Sequence, residues 1–387
     1  MLTNKQIKPA PIIIFMIAVF LLYGENLYSQ VFQVKEVSNK VSVISNPNLG
    51  SQVVVQTEKG MVVFDSFWSG KTARVFKNEI EKTFGRKDFS YVVNMVDRLD
   101  MIGGNVAYPE AAIVGHEYIL AKYSTEKYVR EEINKLIEMW RGKEGYSRDR
   151  LPKYKKGSEE EMEEKKWLSK CITMADELEN SFSLVLPQIS YNDKLTLNLG
   201  NTEIDLFWFG NIGDNKGLTM AVIGEEKLAI LSKIVVFPDG HLAPFPHPYY
   251  GDLDVPRWIA MLEKILEGEN AVNNIILSDS SQVYSRERMK IHLKYIRKLW
   301  NSVKNKEEAG KTFEEIQDQL SLEKDFAFVK DMPVYKTEGD DWIRPQHEAH
   351  IKHFYLQDKI LDSEIIKNGR PVSLQALLDK IKKPEGK

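Results

Sequence analysis

Apolar and polar positions alternate where the chain first shows a pattern. Val41-Ser42-Val43-Ile44-Ser45 and Gln52-Val53-Val54-Val55-Gln56 read as strands on either side of a turn at Gly50-Ser51. Glu58-Lys59-Gly60 has hairpin-turn chemistry, and the unbroken run Met61-Val62-Val63-Phe64-Asp65 after it predicts a strand buried on both faces. The period becomes helical from Lys71 to Phe84 and returns to strand from Phe89 to Met95. Hairpins followed by strand–helix–strand alternation predict an α+β fold with layered sheets and helices.

Residues 124–180 follow another rule. Val129, Ile133, Leu136, Ile137 and Trp140 fall on one helical stripe, and Leu168, Cys171, Ile172, Ala175 and Leu178 on a second. Between them Arg141 to Lys166 is dense in charge and contains Pro152 and Gly157, which predicts a helical hairpin insertion with a solvated tip. The run from Glu159 to Lys166 reads as a solvated face, and Cys171 as inert core. Strands resume with Lys194 to Leu199, Ile204 to Phe209, Thr219 to Val222, Lys227 to Phe237 and Asn274 to Leu277. Helices are expected over Pro256 to Glu267, Ser285 to Lys304, Thr312 to Leu320, Gln346 to Gln357 and Ser373 to Ile381.

Lys5 and Lys8 precede the apolar run from Ile12 to Tyr23. That run is shorter than the roughly 20 residues of a membrane span. A basic stretch followed by a short apolar one is the export-signal pattern. Residues 1–29 are therefore expected to be a signal peptide ending at Ser29, with an uncleaved anchor as the alternative, and the protein to be periplasmic or extracellular. No other stretch approaches membrane length. The division expected is 31–304 for the main domain, with 124–180 inserted in it, and 305–387 for a helical C-terminal extension.

With 387 residues, 43% of them hydrophobic and 28% charged, the chain has globular composition and length for a sizeable core. A net charge of −3 gives nucleic acid no general attraction. One cysteine, Cys171, excludes an intramolecular disulfide, a Cys-based zinc cluster and an iron–sulfur site. No Gly-x-Ser-x-Gly elbow or phosphate-cradling glycine loop is present, and Ser278, Ser280 and Ser281 have no His nearby in sequence.

Several short phrases recur in a telling order. Asp65 closes Val63-Phe64-Asp65-Ser66; Ile102-Gly103-Gly104-Asn105 is followed by Tyr108-Pro109 and by Ile113-Val114-Gly115-His116-Glu117. Leu199-Gly200-Asn201 leads to Phe209-Gly210, and Arg257-Trp258-Ile259 opens a helix through Leu262 and Ile265-Leu266. Together these resemble the metallo-β-lactamase (MBL) fold, from Val41 to His353. The resemblance implies an αββα sandwich with a site at one edge. It also implies one or two zinc ions whose bound hydroxide opens an amide, ester or thioester, through imidazole and carboxylate ligands that hold the metal and lower the pKa of its water.

The ligands that the resemblance implies are missing. The positions of the His-x-His-x-Asp-His motif read Val96-Asp97-Arg98-Leu99-Asp100-Met101, so only the aspartate remains. Val has no donor atom, Arg is permanently charged and a thioether is a poor zinc ligand. The loop after Gly210 has no His, Lys233 falls where the bridging aspartate belongs, and Asp279 falls where the last His belongs. Asp97, Arg98, Asp100, Lys233 and Asp279 are thus the candidate site residues. Arg98 or Lys233 is expected to pair with Asp100 or Asp279, taking over the charge role of the metal, against the alternative that these residues drifted to face solvent.

His347, His350 and His353 cannot all face one ion from one helix, although His350 could share one with either neighbour. A packing role is expected, and Arg344-Pro345-Gln346-His347-Glu348 resembles a C-terminal phrase of relatives with intact motifs. His241 and His247 sit in a Pro-rich loop expected at the site mouth. The expectation is an exported protein of this fold without zinc or zinc-dependent hydrolysis, a pseudoenzyme that binds an unknown small molecule or protein in the former cleft. The alternatives are a hydrolase with a non-standard site, and a partner-binding protein using the Val129/Trp140 or Trp167 face of the hairpin.

Overall fold

A computed structural model describes residues 31–212, 215–232, 254–268, 271–278, 281–331, 336 and 340–361. Two sheets carry it. The first runs in the order β1 (Gln33–Glu36), β2 (Val41–Asn46), β3 (Gly50–Thr57), β4 (Gly60–Phe64), β5 (Phe89–Asn94), β6 (Ala112–His116) and β7 (Ile189–Tyr191). Its first four strands are antiparallel and its last four parallel, with β4 in both sets. The second comprises β8 (Lys194–Asn198), β9 (Glu203–Ile212), β10 (Asn215–Ile223), β11 (Leu228–Leu231), β12 (Asn274–Leu277) and β13 (Val283–Ser285), paired in that sequence. Only β11 and β12 pair in parallel there. The expected extension of β11 to Phe237 and the helix at Ser373 to Ile381 lie outside the described residues.

Period-two alternation sorts the side chains into layers. On β3 and β4, Val53, Val55, Val62 and Phe64 meet Leu206, Ala221, Ile230 and Ile276 of the second sheet between the sheets. Their neighbours Val54, Met61 and Val63 point outward beneath α1 (Gly70–Phe84), against Ala73, Phe76 and Ile80. The unbroken apolar run of β4 is explained by this double burial; fully burying a Val or Phe contributes about 1.5–3 kcal/mol. Ser69 caps α1 by accepting the Thr72 N–H, and Gly85 ends it at φ 64.

After α2 (Glu117–Lys122), the inserted hairpin forms as expected, from α3 (Glu126–Arg150) and α4 (Glu159–Ser181). Trp140, Cys171, Met174 and Leu178 bury against the α1 side of the first sheet, with Val129 packed beside them. Val129 and Trp140 therefore face inward rather than toward a partner, while Trp167 is 39% exposed. Cys171 is fully buried, and burial raises its thiol pKa, as inert core requires. The acidic run holds one departure from a solvated face. Glu164 is buried and accepts a 2.6 Å hydrogen bond from Ser147 of α3, because the two helices pack closely there.

The outer face of the second sheet is covered by α5 (Val255–Leu266) and α6 (Arg286–Glu308). The chain after residue 304 adds α7 (Phe313–Gln319) and α8 (Asp340–Leu361), which share that core through Ile316, Ile351 and Phe354. The layers are thus α, β, β, α. None of the described helices is long and apolar enough to cross a membrane.

Candidate functional site

The site begins where β4 runs out. Asp65 and Phe67 both have positive φ, 56° and 67°, in a region that costs a non-glycine residue energy. Asp65 is held there from both sheets. Its Oδ1 accepts the Met95 N–H at 2.8 Å, its Oδ2 accepts the hydroxyl of Ser278 at 2.6 Å, and its carbonyl accepts Gln52 Nε2–H at 2.7 Å. Ser278 follows β12, so one carboxylate ties the edges of the two sheets together.

A cavity of about 270 Å³ opens over this edge. The strand-end loop supplies Phe64, Asp65, Phe67 and Trp68 to its wall, and the segment after β5 supplies Arg98, Asp100 and Met101. The hairpin closes it with Trp140, Lys170 and Met174, and Ser232 lies at the end of β11. The insertion therefore roofs the cleft. Its anchor is Glu177, a buried carboxylate whose Oε2 accepts Trp68 Nε1–H at 2.9 Å, the Thr72 hydroxyl at 2.8 Å and the Ser69 hydroxyl. Lys71 stands 3.8 Å from Oε1. Desolvation pushes the Glu177 carboxyl up to about 7.

The candidate residues separate in space. Arg98 and Asp100 make the expected pair: Nε donates to Oδ1 at 2.9 Å and Nη2 to Oδ2, a fork that suits a carboxylate. Arg98 is 38% exposed, so the pair is partly wet. Asp97, three residues before Asp100, does not line the cavity. Its buried carboxylate accepts from Lys122 Nζ at 3.1 Å and from the N–H groups of Lys216 and Gly217 at 3.2 and 3.0 Å. Its carbonyl accepts from Lys122 Nζ and from the Tyr123 hydroxyl. Val96 is core, and Met101 lies between core and cavity. Lys233, Asp279, Ser280, His241 and His247 lie outside the described residues.

His116, His347 and His350 do structural work. His116 donates Nε2–H to the Asn192 carbonyl at 2.7 Å, accepts the Tyr118 N–H at Nδ1, and stacks on Tyr118 and Trp208; burial lowers its pKa. His347 donates Nε2–H to the Leu320 carbonyl at 3.1 Å, so its Nδ1 accepts from the Tyr295 hydroxyl at 2.9 Å. His350 Nδ1–H donates to that same hydroxyl oxygen at 3.1 Å. The two rings converge on a phenol of α6, and α8 docks through them. His353 is buried too, and neither of its ring nitrogens has a hydrogen-bond partner among the described residues.

The lining shows no zinc-type donor set. The Asp65 oxygens accept two hydrogen bonds, the Asp100 oxygens face a permanent guanidinium, and no imidazole of the described residues lines the wall. Among the described residues, no three His, Cys, Asp or Glu side chains form a group able to hold a metal. Lys170, Met174 and Glu177 were not legible as site residues. They occupy helical positions of the insertion, and only the docking of the hairpin brings them to the cleft.

Removing Asp100 should cost little. With Arg98 able to turn to water, Asp100→Ala is expected to lose about 1 kcal/mol or less, a thermal shift of a few degrees by calorimetry.

No protein-family profile matches the chain, and no curated protein matches it in sequence. Solved structures do match. The stereoselective inverting sec-alkylsulfatase Pisa1 from Pseudomonas sp. aligns with a TM-score of 0.53 at 13% identity, over 88% of this chain and 52% of that one. A metallo-beta-lactamase from Pontibacter korlensis aligns with a TM-score of 0.43 at 12% identity, over 69% of this chain and 99% of that one. An archaeal metallo-beta-lactamase superfamily protein from Sulfolobus tokodaii gives 0.42 at 14% identity, over 64% and 80%. The chain spans about half the length of the alkylsulfatase. Two facing sheets with helices outside and a cleft at one edge define an αββα sandwich. Its layout is the αββα sandwich that the sequence resemblance implies, and the alignment with the alkylsulfatase supports that fold.

Proposed function

We propose that this chain is an exported protein of the metallo-β-lactamase fold that binds a small molecule in the hairpin-roofed cleft and performs no zinc-dependent hydrolysis there. The observation that carries the reading is the Arg98–Asp100 fork in the cavity wall. The one carboxylate retained from the zinc motif is taken by a cation that cannot lose its charge. A zinc ion would have to displace the guanidinium and then compete for the Asp65 oxygens, which already accept hydrogen bonds, in a described wall whose other side-chain donors are serine hydroxyls and thioethers. The cleft nonetheless keeps features of a ligand site: a concave, mostly apolar wall, a few polar groups and a strained strand end held from two sheets. Export follows from the basic and apolar pattern of residues 1–29.

The test is metal content. Protein purified from zinc-supplemented cultures and dialysed is expected to hold zinc far below one ion per chain by elemental analysis. About one tightly bound ion per chain would restore the hydrolase reading.

A further inference from the structure

The wall of the cleft has a composition that selects among ligand chemistries. Its charged members among the described residues are Arg98, Lys170, Asp65 and Asp100, two cations and two carboxylates. Arg98 and Asp100 neutralise each other across the fork, and both Asp65 oxygens accept hydrogen bonds from the protein. A ligand with net charge would give up hydration on entering and find the Arg98 and Asp100 charges already committed to each other. A neutral ligand carries no such cost. The rest of the wall is apolar and adaptable, with the rings of Phe67, Trp68 and Trp140 and the thioethers of Met101 and Met174. An apolar cavity of about 150 Å³ accommodates benzene. The 270 Å³ here is nearly twice that, the size of a fused bicyclic ring.

We infer that the cleft takes an uncharged, flat organic molecule of about two fused rings, held between Phe67, Trp68 and Trp140 with the thioethers closing its edges. This rests on the binding reading of the cleft and names the class of its ligand. A single acceptor on the ligand, a hydroxyl or carbonyl oxygen, meets Lys170 at the hairpin side. Specificity comes from ring shape and from the absence of charge, because Arg98 and Asp100 compensate each other and the Asp65 oxygens already accept hydrogen bonds.

The experiment compares three probes of one ring system and different charge: 2-naphthol, 2-naphthalenesulfonate and 2-naphthylmethylamine in its ammonium form. Each is titrated calorimetrically into the full chain at neutral pH. The expected result is saturable binding of 2-naphthol, at least about tenfold tighter than either charged probe. Met174→Trp, which fills the cavity, is expected to abolish that binding, and Trp140→Ala to weaken it about tenfold. A preference for the sulfonate or the ammonium would overturn the neutral class and leave the cleft a binding site. Heat from none of the three up to millimolar concentration would overturn the binding reading as well. Undiminished naphthol binding by folded Met174→Trp would place the ligand elsewhere and overturn the assignment. If Met174→Trp does not fold, Trp140→Ala and the wild-type charge series decide.

Discussion

Lowering the pH from 7 to 4 should destabilise the protein, by about 3 kcal/mol from His347, His353 and Glu177 taken together, and α8 should be the first element to open. Burial holds His347 and His353 down to about 4, against 6.5 for an ordinary imidazole. Between those values the unfolded chain binds protons that the folded chain refuses, so stability rises with pH through the window and is lost as pH falls. Each ring contributes about 3 kcal/mol of that loss. Leu320, Glu323 and Asp325 pull His347 the other way, and Gln357 acts weakly on His353 without meeting hydrogen-bond geometry, but desolvation dominates both. Glu177 opposes the pair. Its carboxyl is raised from 4.5 to about 7, so its stability is complete below 4.5 and is lost as pH rises through 7, again about 3 kcal/mol. Two of these three terms make acid destabilising, and His116, whose pKa burial also lowers, acts in the same direction. Differential scanning calorimetry against pH gives the curve, and hydrogen exchange at pH 4.5 locates the opening.

Two substitutions divide that effect. His353→Leu replaces an unpartnered buried ring with an apolar group of similar size. It should stabilise at pH 7 by about 1–2 kcal/mol and remove roughly half of the gross histidine effect on acidification. Glu177→Gln keeps an acceptor for Trp68, Ser69 and Thr72 but cannot titrate, so the acid loss should steepen to about twice its wild-type size. A melting temperature that is flat from pH 7 to 4 in wild type and both variants would refute this account.

Asp97→Ala should cost about 3–5 kcal/mol, the largest single effect expected at the edge of the sandwich. Asp97 is buried and serves Lys122, Tyr123 and two backbone N–H groups. Those N–H groups belong to the start of β10, whereas Asp97 follows β5, so the residue couples the two sheets. Truncation takes the carboxylate from a largely buried ammonium, which keeps the Asp97 carbonyl, and from the part-buried Lys216 and buried Gly217 N–H groups. Asp97→Asn keeps an acceptor and loses the charge, and should cost clearly less. Chemical denaturation of the three proteins checks the order, which should be wild type, Asn, then Ala. An Asp97→Ala melt equal to that of Asp100→Ala would show that burial does not separate the two carboxylates.

Asp97 and Asp100 stand three positions apart and look alike as sequence. One is a buried tie between sheets and the other half of a partly wet ion pair in the cleft. Spacing cannot tell them apart, because their difference depends on Lys122 from α2 and on the backbone of β10, 25 and more residues away. The same holds for Glu164. It belongs to an acidic run that reads as solvated, and only the close approach of α3 and Ser147 buries it.

What the order of residues determined by itself was periodic. Alternation placed the strands and their two-faced burial, stripes of period 3.6 placed α1 and the hairpin helices, and the absent imidazoles at Val96, Arg98 and Met101 were visible before any fold was drawn. These signals are local, carried by neighbours within one element. The tertiary structure alone decided that the hairpin roofs the cleft through Glu177, that Lys170 and Met174 reach its wall, and that His347 and His350 meet on one tyrosine. Those outcomes depend on contacts between elements far apart in the chain, where packing chooses which side of an amphipathic helix meets which partner, and no period within an element records that choice.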